Sequence, residues 1–194
     1  MRVAVVKYNA GNVCSMSNAL QRLGVEPIVT DDSTELRSAE RVVFPGVGEA
    51  STAMNYLRER GLDAVIKNLR QPVLGVCLGM QLLGETSEEN NTECLGVIPF
   101  RIKKFESGTE KVPHTGWNQI GNLKSELFCD VAENSFVYFV HSYFVEPNQA
   151  TIAATSYIEN FSAAVRHKNF YAVQFHAEKS GKIGEKIIEN FLKL

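Results

Sequence analysis

Apolar and polar positions change period several times along the chain. In the first half the changes alternate. The segment RVAVVKY (Arg2–Tyr8) is a continuous apolar run of the kind a buried strand makes. Asn12 then reads as an N-cap, Val13, Met16, Leu20 and Leu23 recur at helical spacing, and Gly24 ends the helix. VEPIVT (Val25–Thr30) and RVVFPG (Arg41–Gly46) predict two more strands, the latter stopped by Pro45 and Gly46. Helical spacing follows over Glu49–Glu59 and Leu62–Leu69. PVLGV (Pro72–Val76) is a fourth strand, and a helix starts directly after it at Leu78. Strands alternating with helices predict βαβ units and a parallel sheet.

The second half is denser in strands. FVYFVHSYFV (Phe136–Val145), TIAATS (Thr151–Ser156), SAAVRH (Ser162–His167) and FYAVQF (Phe170–Phe175) are short and closely spaced, as antiparallel or mixed additions to the sheet would be. The chain closes on a helix with Ile183, Ile187, Ile188 and Phe191 as its apolar stripe and Ser180 as the expected cap. Thr86–Glu93 and Ser107–Pro113 read as loops. The predicted class is α/β, an open and mostly parallel sheet flanked by helices, with extra antiparallel strands in the second half. Residues 1–194 are expected to form one domain.

Charge narrows the function. Lys plus Arg number 20 against 22 Asp plus Glu, a balance with no basic surplus for nucleic acid or an anionic membrane. No apolar stretch approaches the roughly 20 residues of a membrane span. The opening MRVAVVKYNAGN has too short an apolar run for a signal peptide, so a cytoplasmic setting is expected. Cys14, Cys77, Cys94 and Cys129 form no C-x-x-C pair and no zinc spacing, which predicts free thiols, no metal and no cofactor.

One thiol stands where the apolar period changes. Gly75-Val76-Cys77-Leu78-Gly79 has the G-x-C-x-G form of a nucleophile elbow, a tight strand-to-helix turn that lifts its central side chain from the sheet edge. The glycines are expected because a Cβ there would collide with neighbouring backbone. Free cysteine is only a few per cent thiolate at neutral pH, and a helix starting at Leu78 would favour the thiolate. The other three cysteines lack this context and read as core or surface thiols.

A nucleophilic thiol needs a base. Of His114, His141, His167 and His176, the last stands where FYAVQF gives way to a loop, with Glu178 two residues on. Extended backbone would place both on one face, so Glu178 would hold one ring nitrogen and leave the other for sulfur. A further loop, FPGVGEA (Phe44–Ala50), also follows a strand, and its glycines allow close backbone approach to a ligand. Three features thus lie past the carboxyl ends of three strands, where open α/β sheets bind ligands. The N–H of Leu78, with a second from Val47 or Gly48, is the expected oxyanion donor set.

G-V-C-L-G-M-Q, the upstream P-G-V-G and the late F-H-x-E resemble the class I glutamine amidotransferases over the whole chain. The resemblance implies a flavodoxin-like sheet and attack of a cysteine on the side-chain amide of glutamine. It then implies ammonia release and hydrolysis of a γ-glutamyl thioester. It implies Cys77 as nucleophile, His176 as general base and acid, and Glu178 as orienter. It also implies Gly46, Gly48, Gln81, Glu89, His141, Ser142 and Tyr143 as the glutamine site. Glu89 would meet the α-ammonium, and backbone donors the α-carboxylate. KVPHTGWNQI (Lys111–Ile120) and VYFVHSYF (Val137–Phe144) resemble more narrowly the family's glutaminase subunits of histidine biosynthesis. These form heterodimers with a (β/α)8-barrel cyclase that makes imidazole glycerol phosphate and AICAR, and feed it ammonia. Trp117, Asn118, Tyr138 and Lys179 match positions at that junction.

Three stretches depart from the pattern. Ala177 stands where the family has proline, which predicts a less constrained Glu178 within an intact triad. The segment from Lys7 through Tyr8, Asn9, Ala10 and Gly11 to Asn12 lacks an acid and a glycine of the family's D-Y-G-A-G-N. The stretch Asn90–Glu93 is short and without a reading. Other functions compete with the glutaminase. A paralogous glutaminase feeding an amino-sugar synthase would share the elbow. A thiol redox sensor or other cysteine hydrolase would not need His176 and Glu178 in register, and a non-catalytic subunit would lack a triad member.

Overall fold

A computed structural model describes residues 1–9, 11–106, 108 and 110–194. Ala10 of the amino-terminal segment, and Ser107 and Thr109 of the second expected loop, lie outside the described residues. The first half runs β1 (Val3–Val6), α1 (Val13–Arg22), β2 (Ile28–Thr30), α2 (Ser33–Ser38), β3 (Arg41–Phe44), α3 (Ala50–Glu59), α4 (Leu62–Lys67), β4 (Val73–Val76) and α5 (Leu78–Leu82). Four short strands follow, β5 (Thr86–Ser87), β6 (Thr92–Glu93), β7 (Arg101–Lys104) and β8 (His114–Ile120). The remainder is β9 (Ser135–His141), β10 (Tyr143–Val145), β11 (Thr151–Ser156), β12 (Asn160–His167), β13 (Phe170–Val173) and α6 (Gly181–Leu192).

The main sheet has the order β11-β12-β13-β4-β3-β1-β2. It is parallel from β13 to β2, and β12 and β11 extend it antiparallel. The expected α/β class is therefore observed. Both faces of the parallel strands are covered, which is why their apolar runs are continuous rather than alternating. One face packs Val3, Val5, Leu74 and Val76 against α1 and α6, and the other packs Val6, Phe44 and Val73 against α3 and α4. In α6, Ile187, Ile188 and Phe191 are fully buried, each contributing roughly 1.5–3 kcal/mol of transfer free energy.

Several expectations change. Phe136–Val145 is not one strand. It breaks at Ser142 into β9, which pairs with β8 as a separate hairpin, and β10, which pairs with β7 in a four-stranded sheet. Thr86–Glu93 is not a loop, because β5 and β6 pair with each other and β5 with β7, a partner the local pattern does not reveal. Asn90 and Asn91 make the turn between them at φ 52° and 48°, a region asparagine tolerates. Helix α2 had no apolar stripe to announce it and is started by Asp32, whose side chain accepts from the N–H groups of Thr34 and Glu35. Neither expected cap caps through its side chain: Asn12 and Ser180 both turn elsewhere.

The elbow follows β4 as expected. Cys77 has φ 53° and ψ −109°, and its N–H is held by the Val173 carbonyl of β13 at 2.8 Å. A Cβ on Gly79 would lie 1.8 Å from the Phe44 carbonyl oxygen, and one on Gly75 would lie 3.0 Å from Gly79 backbone. Gly79→Ala should therefore cost about 1–3 kcal/mol or more, as overpacking against rigid backbone does. A urea-unfolding midpoint equal to that of the wild type would refute this.

Candidate active site

The sheet brings the separated motifs together at one edge. Parallel pairing of β4 with β13 aligns Val76 with Val173, so Cys77 and the segment Gln174–His176 leave the sheet side by side. His176 Nδ1 lies 2.7 Å from Glu178 Oε1, and both side chains are fully buried. The looser Glu178 expected from Ala177 is not what the structure has. Ala177 begins a 3-10 turn whose carbonyl is closely covered by Gly184 of α6, where a Cβ would come within 1.8 Å. Packing on that carbonyl does the constraining that a proline ring would do.

Asn12 supplies a further tie. Its amide donates to Glu178 Oε1 and lies 3.3 Å from His176 Nδ1. The sequence marked this residue as a helix start, and its side-chain partner became visible only across the fold. Ser180 likewise holds the base in place: its hydroxyl donates to the His176 carbonyl at 2.7 Å and accepts the Tyr138 N–H at 2.9 Å.

Cys77 is buried beside this pair. Its thiol donates to the Val140 carbonyl at 3.9 Å and accepts from Gln174 Nε2 at 3.8 Å. His176 Nε2 has no hydrogen-bond partner among the described residues. Cys77 acts on the charge of the ring, and a hydrogen bond between them forms only once the thiol turns from Val140. Burial works against a charged ring, but Cys77 and then Glu178 outweigh it and push His176 up to about 10. The three side chains have the chemistry of a nucleophile, a ring that takes and holds its proton, and an orienting carboxylate.

A pocket of about 270 Å³ opens at Cys77, walled by Val47, Gly48, Gln81, Glu89, His141, Ser142 and Tyr143 among others. Most of the expected substrate residues therefore meet here. Gly46 does not line it and sits behind, where a Cβ would fall 2.0 Å from the Tyr8 hydroxyl. Tyr8 in turn donates to the Pro45 carbonyl at 2.6 Å and pins that loop. The Leu78 N–H differs from expectation: it donates to the Gly46 carbonyl at 3.2 Å and is not free for an oxyanion. Glu89 accepts the Ala50 N–H at 2.7 Å, and burial raises its carboxyl above the usual range. Among the described residues no three His, Cys, Asp or Glu side chains cluster as a metal site.

The expected junction residues lie on or beside the β8–β9 hairpin. Trp117 and Tyr138 pair across it, ring centroids 6.0 Å apart, and Trp117 is 56% and Phe136 52% exposed. Lys179 is exposed next to Glu178. Asn118 instead turns its amide inward, to the Ser156 carbonyl at 2.9 Å and His114 Nε2 at 3.4 Å. No helix among the described residues is long and apolar enough to cross a membrane.

Comparison with known proteins gives concordant matches. Residues 5–194 match the family model described as glutamine amidotransferase class-I. The imidazole glycerol phosphate synthase subunit HisH of Bacteroides fragilis is 57% identical over 196 residues, covering all of both chains. The subunit of the same name from Haemophilus influenzae is 42% identical, covering all of this chain and 98% of its own. Among solved structures, a glutamine amidotransferase superposes with a TM-score of 0.76 at 17% identity, covering 98% of this chain and 97% of its own. PurLQS from Thermotoga maritima does so at 0.73 and 18%, covering 99% and 97%. At such identities these two bear on the fold alone.

Because the folded ring binds its proton up to about 10 and an unfolded one to about 6.5, this contribution to stability is complete below pH 6.5 and is lost as pH rises through 10. NMR of the His176 ring should show the cation persisting well above pH 8. A ring that titrates near 6.5 would exclude this arrangement.

Proposed function

The chain belongs to the class I glutamine amidotransferase family, and on that premise we propose that residues 1–194 act as one glutaminase domain. It hydrolyses glutamine and passes ammonia to a synthase subunit making imidazole glycerol phosphate. The observation that carries the reading is the meeting of Cys77, the His176–Glu178 pair and a small pocket at the carboxyl ends of neighbouring parallel strands. Full-length relatives carrying that synthase's name support the pathway.

The chemistry follows from the geometry. Cys77 Sγ turns from Val140 with its proton passed to His176 Nε2, which makes the ring cation that Cys77 and Glu178 favour, while Nδ1–H stays on Glu178. Sulfur attacks the side-chain amide carbon of glutamine. The carbonyl oxygen takes the charge, and collapse expels ammonia, which leaves with the proton from His176. His176 then takes a proton from water, which attacks the thioester and frees glutamate and the thiol. Glu89, facing the pocket, suits the α-ammonium of the substrate.

The occupied Leu78 N–H bears on regulation. While the Gly46 carbonyl holds it, the elbow offers the oxyanion no donor from that position. Turning the Gly46–Val47 peptide would remove that carbonyl and present the Val47 N–H. Gly48, at φ 125°, lies next to it in the chain. This supports slow hydrolysis by the chain alone. The exposed Trp117 and Phe136, with half-buried Tyr138 between them, support docking of a partner subunit, and the junction match supports a (β/α)8-barrel cyclase. The Tyr138 carbonyl accepts the His176 N–H at 2.9 Å, so pressure on this hairpin reaches the base directly.

Glutamate release by the purified chain should be slow alone, strongly stimulated by its cognate cyclase carrying nucleotide, and absent in Cys77→Ala. Cys77-dependent activity that ignores the cyclase would point to another synthase, and activity surviving in Cys77→Ala would end the reading. Asn12→Ala should lower kcat by about threefold to tenfold, the worth of one hydrogen bond on the orienting carboxylate, with KM for glutamine little changed. An unchanged kcat would remove Asn12 from the mechanism.

A further inference from the structure

Two buried polar side chains have no part in the mechanism above. Gln174 is fully buried and His114 nearly so. Buried amides and imidazoles carry a large penalty unless their polar atoms are paired, so their partners are informative. The pairing can be deduced outward from one atom, the Tyr143 carbonyl oxygen, which only accepts.

On one side His141 Nδ1 lies 2.8 Å from that oxygen and must carry the hydrogen. His141 Nε2 is then an acceptor, and His114 Nδ1, 3.1 Å away, must donate to it. His114 Nε2 accepts in turn from the Asn118 amide at 3.4 Å. On the other side Gln81 must turn its Nε2 to the Tyr143 oxygen, at 3.1 Å. The same nitrogen reaches Gln174 Oε1 at 3.0 Å. That leaves Gln174 Nε2 toward Cys77 Sγ, at 3.8 Å. Each hydrogen bond in the series can run in one direction only. Burial also pushes His114 down to about 4 and His141 to about 3, so both rings stay neutral and keep these tautomers at neutral pH.

We propose that Gln174 donates a hydrogen bond to the Cys77 sulfur as charge develops on it, and that His114 is a positioning residue. His114 holds the His141–Tyr143 pocket wall, and the two are joined in one buried chain running from the β8–β9 hairpin to the nucleophile. The proposal rests on Cys77 being the nucleophile of the glutaminase. It gives the hairpin a second route to the site, separate from its bond to the His176 backbone. The short β-structure of Asn118 and His114 borders the exposed Trp117, so displacement of that surface is felt at the pocket wall.

Long-range proton–nitrogen NMR on the intact labelled wild-type chain tests the polarity without a variant. Two histidines should be neutral Nδ1–H tautomers from pH 8 to pH 5. Either one in the Nε2–H form, or titrating above pH 5, overturns the chain. Gln174→Leu tests the sulfur end. Alkylation of Cys77 by iodoacetamide, followed on the Cys77 peptide so that exposed Cys14 and Cys129 do not interfere, should slow by about fivefold to tenfold, as loss of one hydrogen bond predicts. An unchanged rate in a folded variant overturns that role. In glutamate release, Gln174→Leu should lower kcat with KM nearly constant, whereas His114→Phe should chiefly raise KM, and a reversed split overturns the assignment. Alkylation and tautomer states need no glutamine. A failure of the glutaminase reading would therefore abolish only the last readout, and a failure of this proposal would show in the first two.

Discussion

Parallel pairing of β4 with β13 is the constraint on which the site depends. It sets Val76 beside Val173, and one step beyond stands the thiol on one strand and Gln174 on the other. A slip of one residue would turn every side chain on β13 to the opposite face and carry His176 away from sulfur. The register is held because both faces of these strands are buried, so any slip would exchange close packing on both sides. An arrangement drawn from residues as distant in the chain as Cys77 and Gln174 is thus fixed by strands buried on both faces.

Backbone conformation at the elbow is the second constraint. A non-glycine residue at φ 53° is strained by about 1–3 kcal/mol, and such strain persists only when the surroundings over-determine it. Here the Cys77 N–H is tied to Val173, and the helix is drawn so close to β3 that only glycine fits at position 79. The same closeness lets the Gly46 carbonyl reach the Leu78 N–H. The Leu78 donor is therefore held by a backbone carbonyl at rest, and the proposed reaction needs it released.

The polar interior between the hairpin and the sheet joins these parts. The series from Asn118 through His114, His141, Gln81 and Gln174 is paired link by link, which gives each of these side chains a single orientation. The β8–β9 hairpin contributes to the base through Tyr138 and to the pocket wall through His114 and His141. An exposed aromatic face on its outer side and a satisfied polar network on its inner side belong to one two-stranded element, whose alternation separates them.

Local pattern alone determined the elements whose stability is local or whose burial is complete: the continuous apolar runs of β1, β3, β4 and β13, the amphipathic α1 and α6, and the turn at Cys77. It also singled out Cys77 among the four thiols as the one in an elbow, because G-x-C-x-G is itself a statement about backbone clearance. His176 and Glu178 were legible as a pair because they lie two positions apart in one short segment, although a 3-10 turn and not extended backbone brings them together. Only the tertiary structure decided the rest. Asn12 and Ser180 look like caps because their side chains suit caps, yet stronger partners reach them across the fold. The short strands β5 and β6 exist only through pairing with each other and with β7. Gln174 and His114 read as ordinary strand residues until the sheet register shows what each faces. The Leu78 N–H, expected to be free at the elbow, is engaged by a carbonyl from another loop. In each case the deciding interaction is between residues distant in sequence, and a periodicity carries no information about which distant partner arrives.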